Sequence, residues 1–382
     1  MITSRKAGNV QASLRVRAYR PVMRFVAVLA LVAACGDDAA VIDGGVGSID
    51  DATPDGPPPI LEDVHLIGRF DGQQRFGWPG TNIRTRFAGT EISIELTEGG
   101  AQYYEITIDG VQQEPLHTQT GRRTYVLATG LAAGEHDLVV ARRTESFFGT
   151  TTFHGFPGAT FVQTPRPTRL VEFIGDSITC GYGVLGAAAT CDFSAATEAE
   201  TRAWATLASD ELGVAHVTIA YSGIGMYRNG DGSTTAVMPL RYDRILAEHA
   251  TPAWDFSYTP DVIVINLGTN DFAPGDPGMP YVTATVDFVR TLKTKFPAVK
   301  VLLATSPMLG NGFPANQMHR TKARMYLDLA ATMIMDPDVT VSEIAEQKAA
   351  DGYGCDYHPN VVTNQKMAAA IVADIRRVTG WQ

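Results

Sequence analysis

The sequence predicts an all-β sandwich followed by a three-layer α/β/α domain with a parallel sheet. Three observations lead there. From Val64 to Gln163 apolar and polar residues alternate in short runs, as in Ile92-Ser93-Ile94-Glu95-Leu96 and Tyr104-Glu105-Ile106-Thr107-Ile108, the period of strands with one buried face. From Leu170 onward, continuous apolar runs such as Val262-Ile263-Val264-Ile265 take turns with stretches of helical length, the pattern of a parallel sheet covered on both faces. Between the two patterns, Thr164-Pro165-Arg166-Pro167-Thr168 suits neither strand nor helix. The chain has 382 residues, 45% of them hydrophobic, enough for two cores. A sandwich over residues 60–165 and an α/β domain over 168–382 are therefore expected.

The elements follow in order. Arg5, Lys6, Arg15, Arg17, Arg20 and Arg24 precede the apolar run Phe25 to Ala34, and no acid falls within this stretch. Residues 1–34 thus read as an export signal, too short in its apolar part to span a bilayer securely. The small residues of Val32-Ala33-Ala34 before Cys35 resemble the lipobox of bacterial lipoproteins. That resemblance implies lipidation of Cys35 and attachment to a bacterial membrane, facing the periplasm or the cell surface. Residues 35–59 hold six Asp, no Lys or Arg, and many Gly, Ala and Pro, so they are expected to form an extended, disordered tether.

Within the sandwich, Val64–Ile67, Ile92–Leu96, Tyr104–Ile108, Tyr125–Leu127 and Leu138–Val140 read as strands, punctuated by turns such as Asp109-Gly110. Beyond it, strands are expected at Leu170–Ile174, Val214–Ala220, Val262–Leu267, Val299–Ala304 and Val339–Val341. Helices are expected around Glu198–Leu212, Leu240–His249, Tyr281–Phe296, Asn316–Met335 and Thr363–Val378.

Open parallel sheets bind ligands beyond the carboxyl ends of their strands. Three such ends are unusual here: Gly175-Asp176-Ser177, Ser222-Gly223-Ile224-Gly225 and Gly268-Thr269-Asn270-Asp271, with Gly354-Cys355-Asp356-Tyr357-His358-Pro359 before the last helix. The four blocks, in this order, resemble the SGNH (GDSL-like) hydrolase superfamily. Asp356 two residues before His358, together with Ile67-Gly68-Arg69-Phe70, Phe76-Gly77-Trp78-Pro79-Gly80, Ile108-Asp109-Gly110 and Ala133-Gly134-Glu135-His136 in the first unit, resembles carbohydrate esterase family two. The sandwich of that family is a jelly roll.

The resemblance implies Ser177 as nucleophile and His358 as its base, histidine being the common side chain whose ordinary pKa lies near working pH. The backbone N–H groups of Ser177 and Gly223 and the side-chain amide of Asn270 would form the oxyanion hole. The superfamily's usual aspartate, three residues before the histidine, is here Cys355. Asp356 is therefore expected to orient His358, with a backbone carbonyl as the alternative, and Asp356→Asn to cost at least about 10²-fold in kcat. Trp254 and Tyr227 are expected to stack on sugar rings and Arg228 and Asn229 to contact hydroxyls, while Trp78 suits packing at least as well.

These residues imply a serine esterase that deacetylates O-acetylated polysaccharide of xylan or glucomannan type through an acetyl-enzyme. A lipase, thioesterase or arylesterase on the same fold, or a surface glycan-binding protein with a degenerate site, are the alternatives. Of Cys180, Cys191 and Cys355, the pair Cys191–Cys355 is favoured as a disulfide, clamping the histidine loop, with Cys180–Cys355 second. No metal-ligand or phosphate-binding motif occurs, so no metal or cofactor is expected. The net charge of −10 excludes nucleic acid as a partner. A monomer is expected.

Overall fold

Alternation in the first unit becomes two antiparallel sheets packed face to face. A computed structural model describes residues 63–382; the leader, Cys35 and the tether lie outside the described residues. The sandwich strands are β1 (Val64–Ile67), β2 (Arg75–Phe76), β3 (Asn82–Gly89), β4 (Ile92–Glu98), β5 (Tyr103–Ile108) and β6 (Val111–Gln112). They continue with β7 (Leu116–His117), β8 (Gly121–Ala128), β9 (Gly134–Arg142), β10 (Thr151–Gly155) and β11 (Thr160–Val162). One sheet runs β1-β3-β9-β5-β6, with β11 also on β3 and β7 also on β5; the other runs β2-β10-β4-β8. Every second residue of β4, Ile92, Ile94 and Leu96, is buried and meets Phe87, Tyr104, Ile106, Leu138 and Val140 in a single core.

In the second unit β12 (Leu170–Gly175), β13 (Ala215–Ala220), β14 (Val262–Asn266), β15 (Lys300–Ala304) and β16 (Val339–Ser342) form a parallel sheet in the order β13-β12-β14-β15-β16. The helices are α1 (Ser177–Cys180), α2 (Trp204–Leu212), α3 (Met238–Arg241), α4 (Thr269–Phe272), α5 (Met279–Lys295), α6 (His319–Ile334) and α7 (Val361–Thr379). The continuous apolar run of β14 divides between two cores. Ile263 and Ile265 pack with Val289 and Leu292 of α5 and Leu327 of α6; Val262 and Val264 pack with Ala208 of α2 and Ile371 and Ile375 of α7. Because β12 is flanked by β13 on one side and β14 on the other, the chain changes direction there. That opens a crevice beyond their carboxyl ends, rimmed by Ser177, Gly223 and Asn270.

One expected helix is largely absent. Around Leu240–His249 only Met238–Arg241 is helical, and turns follow. The carbonyls that a helix would use internally are taken by side chains of the sandwich: those of Tyr242 and Arg244 accept from Nη1 of Arg69, and that of Arg244 also from Nε1 of Trp78 at 3.2 Å. Arg69 is fully buried, its guanidinium 3.9 Å above the Trp254 ring, and Nη2 lies 3.4 Å from Glu172 in the middle of β12.

Candidate active site

The turn from β12 into α1 is built on glycine. A Cβ on Gly175 would stand 2.0 Å from Oγ1 of Thr179, so only glycine lets the strand enter the helix this abruptly. Asp176 caps α1, its Oδ1 accepting from the N–H of Ile178 at 3.0 Å. Burial, with the carboxylate of Asp271 adding to it, pushes the Asp176 carboxyl up to about 7. Ser177, 7% exposed, begins the helix and places its Oγ 2.8 Å from Nε2 of His358.

His358 sits between a one-turn 3-10 helix, Cys355–Tyr357, and α7, whose N-cap Asn360 accepts from the N–H of Thr363 at 3.1 Å. Its Nδ1 lies 3.2 Å from the main-chain oxygen of Asp356. A carbonyl only accepts, so the proton resides on Nδ1 and Nε2 is left bare to receive the hydroxyl proton of Ser177. Burial is the main reason that the imidazole is pushed down to about 4, against the opposing pull of Asp356. The ring also packs on Tyr182 at a centroid distance of 4.2 Å, and Tyr182 stacks on Phe193 at 3.7 Å.

The carboxylate of Asp356 does not take the role expected of it. The residue has φ 51° and ψ 38°; this left-handed turn aims its carbonyl at the imidazole and sends its exposed side chain outward, where Oδ2 accepts from the hydroxyl of Tyr182 at 2.8 Å. The arrangement is a Ser-His dyad steadied by a main-chain carbonyl.

Two N–H groups face the crevice without a protein acceptor among the described residues, those of Ser177 and Gly223. Gly223 has φ +79° and open space where a Cβ would stand, so its peptide is bare toward a substrate. Its neighbours are anchored: the Asp271 carboxylate accepts from three consecutive N–H groups, those of Met226, Tyr227 and Arg228, at 2.7–2.9 Å. The amide of Asn270 is already engaged. Nδ2 donates to the carbonyl of Ile224 at 2.8 Å and to Oδ2 of Asp176 at 3.2 Å, so a substrate oxygen reaches it only in competition with Asp176. The described geometry thus offers two free donors and one shared.

The expected sugar contacts are redistributed. Trp254 is 4% exposed and sandwiched in the core against Arg69, and Trp78 is fully buried; neither presents a ring to a substrate. Tyr227 packs on the core, and Arg228 donates to the carbonyls of Asp271 and Gly275 at 2.8 and 2.7 Å, which builds the wall rather than the opening. Asn229 does line a cavity of about 350 Å³ beside Gly223, together with Tyr221, Asp231 and Arg241. Cys191 and Cys355 are joined in a disulfide, and Cys180 is a buried free thiol. Sequence reasoning missed Tyr182, Phe193 and Phe147, an aromatic group that flanks His358. For Tyr182 and Phe193, their places shortly after Ser177 and Cys191 were the available signal; Phe147 comes from the sandwich and left none.

Two measurements check this geometry. Asp356→Asn is expected to keep kcat within about tenfold of the parent, because its carboxylate does not touch the imidazole; a loss of 10³-fold or more would restore it to a triad. The plot of kcat/KM against pH is expected to lose activity through a protonation near pH 4 as His358 gains a proton, a shallower step near 7 belonging to Asp176, which touches Asn270 and not the base. A full acid limb near 6.5 that survives in Asp176→Asn would show that the free base is not desolvated.

A family model described as Carbohydrate esterase 2 N-terminal matches residues 66–165, and one described as GDSL-like Lipase/Acylhydrolase family matches residues 173–366. The chain is 33% identical over 342 residues to Cellulase/esterase CelE of Acetivibrio thermocellus, covering 87% of this chain but only 41% of CelE. It is 25% identical to an acetylxylan esterase / glucomannan deacetylase of Cellvibrio japonicus, over 83% of this chain and 89% of that one. The solved structure of a family two carbohydrate esterase from Clostridium thermocellum in complex with cellohexaose superposes with a TM-score of 0.78 at 32% identity, spanning 84% of this chain and all of that one. With a sandwich of that N-terminal type and a Ser-His pair on the GDSL-like domain, the chain belongs to the family two carbohydrate esterases.

Proposed function

We propose that this chain is a serine esterase that removes acetyl groups from hydroxyls of xylan- or glucomannan-type polysaccharide. The observation that carries the reading is the 2.8 Å contact between Ser177 Oγ and a bare Nε2 of His358, beside two N–H groups with no protein acceptor among the described residues. As Oγ attacks the acetyl carbonyl, its proton passes to Nε2, and the carbonyl oxygen becomes an oxyanion facing the N–H groups of Ser177 and Gly223. Collapse breaks the bond to the sugar oxygen, which takes the proton back from Nε2 and leaves as an alcohol. Water then attacks the acetyl-serine, again giving its proton to Nε2; collapse breaks the bond to Oγ, which takes that proton back, so acetate leaves and Ser177 and neutral His358 are restored. The cavity beside Gly223 holds the hydrogen-bonding side chains of Asn229, Asp231 and Arg241 among its lining, which suits hydroxyl-bearing leaving groups, and relatives bear the names of acetylxylan and glucomannan deacetylases. One chain supplies nucleophile, base and donors, so a monomer suffices.

The expected outcome is acetate release from acetylated xylan and acetylated glucomannan, lost by at least about 10³-fold in a folded Ser177→Ala variant. Activity within tenfold of the parent would remove Ser177 as nucleophile.

We also propose export and a lipid anchor at Cys35. The support is the basic stretch, apolar run and small-residue sequence before Cys35. The full chain is expected in the detergent phase of a two-phase extraction and the Cys35→Ser chain in the aqueous phase, with unchanged kcat. Retention of the variant in the detergent phase would refute the anchor.

A further inference from the structure

The loop that presents the Gly223 N–H is held from the other domain. Glu145 belongs to the sandwich, three residues beyond the end of β9, and is fully buried. Its Oε2 accepts from the main-chain N–H of Ser222 at 2.7 Å and from the thiol of Cys180 at 3.5 Å, and its Oε1 accepts from the hydroxyl of Ser222. Holding both N and Oγ of one residue fixes that residue's rotation, and the next peptide is the one whose N–H belongs to Gly223. From its far side the same loop is tied where the Gly223 carbonyl accepts from the N–H of Gly230 at 2.9 Å. The Gly223 donor is therefore aimed by anchors on both flanks, one of them contributed by the sandwich.

Glu145 is itself rigidly mounted. Its N–H donates to Oε2 of Glu198 at 3.0 Å. Arg142, also fully buried, donates through Nη2 to the carbonyls of Glu145 and Gly149 at 3.0 and 2.7 Å, and through Nε to that of Thr144 at 2.8 Å. Burial raises both Glu145 and Glu198 above the usual carboxylate range, Glu198 the further because the Glu145 carboxylate lies beside it. Buried carboxylates without partners are costly; that of Glu145 meets three donors, and two of them come from the residue preceding an oxyanion-hole glycine.

We propose that Glu145, supplied by the sandwich, is a positioning residue of the esterase reaction: it fixes Ser222 so that the Gly223 N–H points at the developing oxyanion. The sandwich is then part of the catalytic apparatus. The proposal rests on the esterase reading above. An oxyanion donor contributes about 10²–10³ in kcat, and misaiming one costs the lower end of that range or less.

The test uses the full chain with 4-nitrophenyl acetate. Glu145→Ala is expected to lower kcat by about 30- to 100-fold, with KM within about threefold and the acid limb of the pH profile unmoved, since His358 is untouched. Glu145→Gln retains an acceptor for the Ser222 N–H and is expected to recover kcat to within about fivefold of the parent. If Glu145→Ala does not fold, Glu145→Asp draws the carboxylate back by one methylene and is expected to lose at least about tenfold in kcat at unchanged KM. Rates are taken per active site, counted by phosphonylation of Ser177. The role of Glu145 is overturned if kcat per site stays within threefold in Glu145→Ala or, where that variant does not fold, in Glu145→Asp. It is also overturned if Glu145→Gln is as damaging as Glu145→Ala, or if KM and the pH limb move with kcat. A parent chain silent on the ester would instead sink the esterase reading itself.

Discussion

The buried contact between Arg69 and Glu172 is the constraint on which the rest of the molecule depends. The arginine comes from the loop after β1 and the glutamate from the middle of β12, the strand that delivers Ser177. Tyr242 donates to Glu172 at 2.6 Å, Tyr258 donates to it as well, and Trp254 and Tyr242 cover the faces of the guanidinium. A buried ion pair is weak evidence of net stabilisation, yet removing one partner costs about 3–5 kcal/mol because the other is left desolvated and alone. The two domains are thereby held in one mutual placement. Contacts such as those from Glu145 to Ser222 and from Ser146 to Glu248 at 2.9 Å can then be made to within a hydrogen bond's tolerance.

A base whose pKa lies near 4 is a weak proton acceptor, and a carbonyl partner adds no charge to stabilise the imidazolium. Both facts are reconciled by where the charges arise. As Ser177 gives up its proton, a cation forms on His358 while an anion forms on the substrate oxygen in the same partly dry crevice, and each offsets the desolvation of the other. The free enzyme then holds its base neutral over a wide pH range, and the proton moves only when the countercharge appears. The aromatic wall of Tyr182 and Phe193 limits the water that would otherwise screen this pair.

Local pattern made much of this legible. Gly175-Asp176-Ser177, Gly223 and Asn270 lie at strand ends, and strand ends of a parallel sheet converge at the reversal of strand order; four blocks in order were therefore enough to bring Ser177 and His358 together. What sequence could not reveal depends on direction rather than position. Nothing in Cys355-Asp356-Tyr357-His358 says that Asp356 adopts a left-handed turn, so its carbonyl and its carboxylate exchanged roles. Trp254 reads as an exposed platform until the guanidinium that covers it arrives from 185 residues away in the sequence. The Leu240–His249 segment has helical periodicity, but its carbonyls are claimed by Arg69 and Trp78. Each departure arises from a contact between the two domains or from a single backbone angle, and neither leaves a periodic trace.

The disulfide between Cys191 and Cys355 gives the molecule a timetable. It spans 164 residues and joins the loop bearing Phe193 to the turn bearing the base, so the native pairing is favoured once the strands between them have brought the two ends together. Thiols pair durably only in oxidising surroundings. A newly made chain in a reducing cell interior would consequently reach its fold without this last tie, with the histidine turn held by its hydrogen bonds and by Tyr182 alone. Catalytic competence would be completed as a late maturation event, and the yield of fully competent enzyme from a foreign host would depend on the compartment in which it is made.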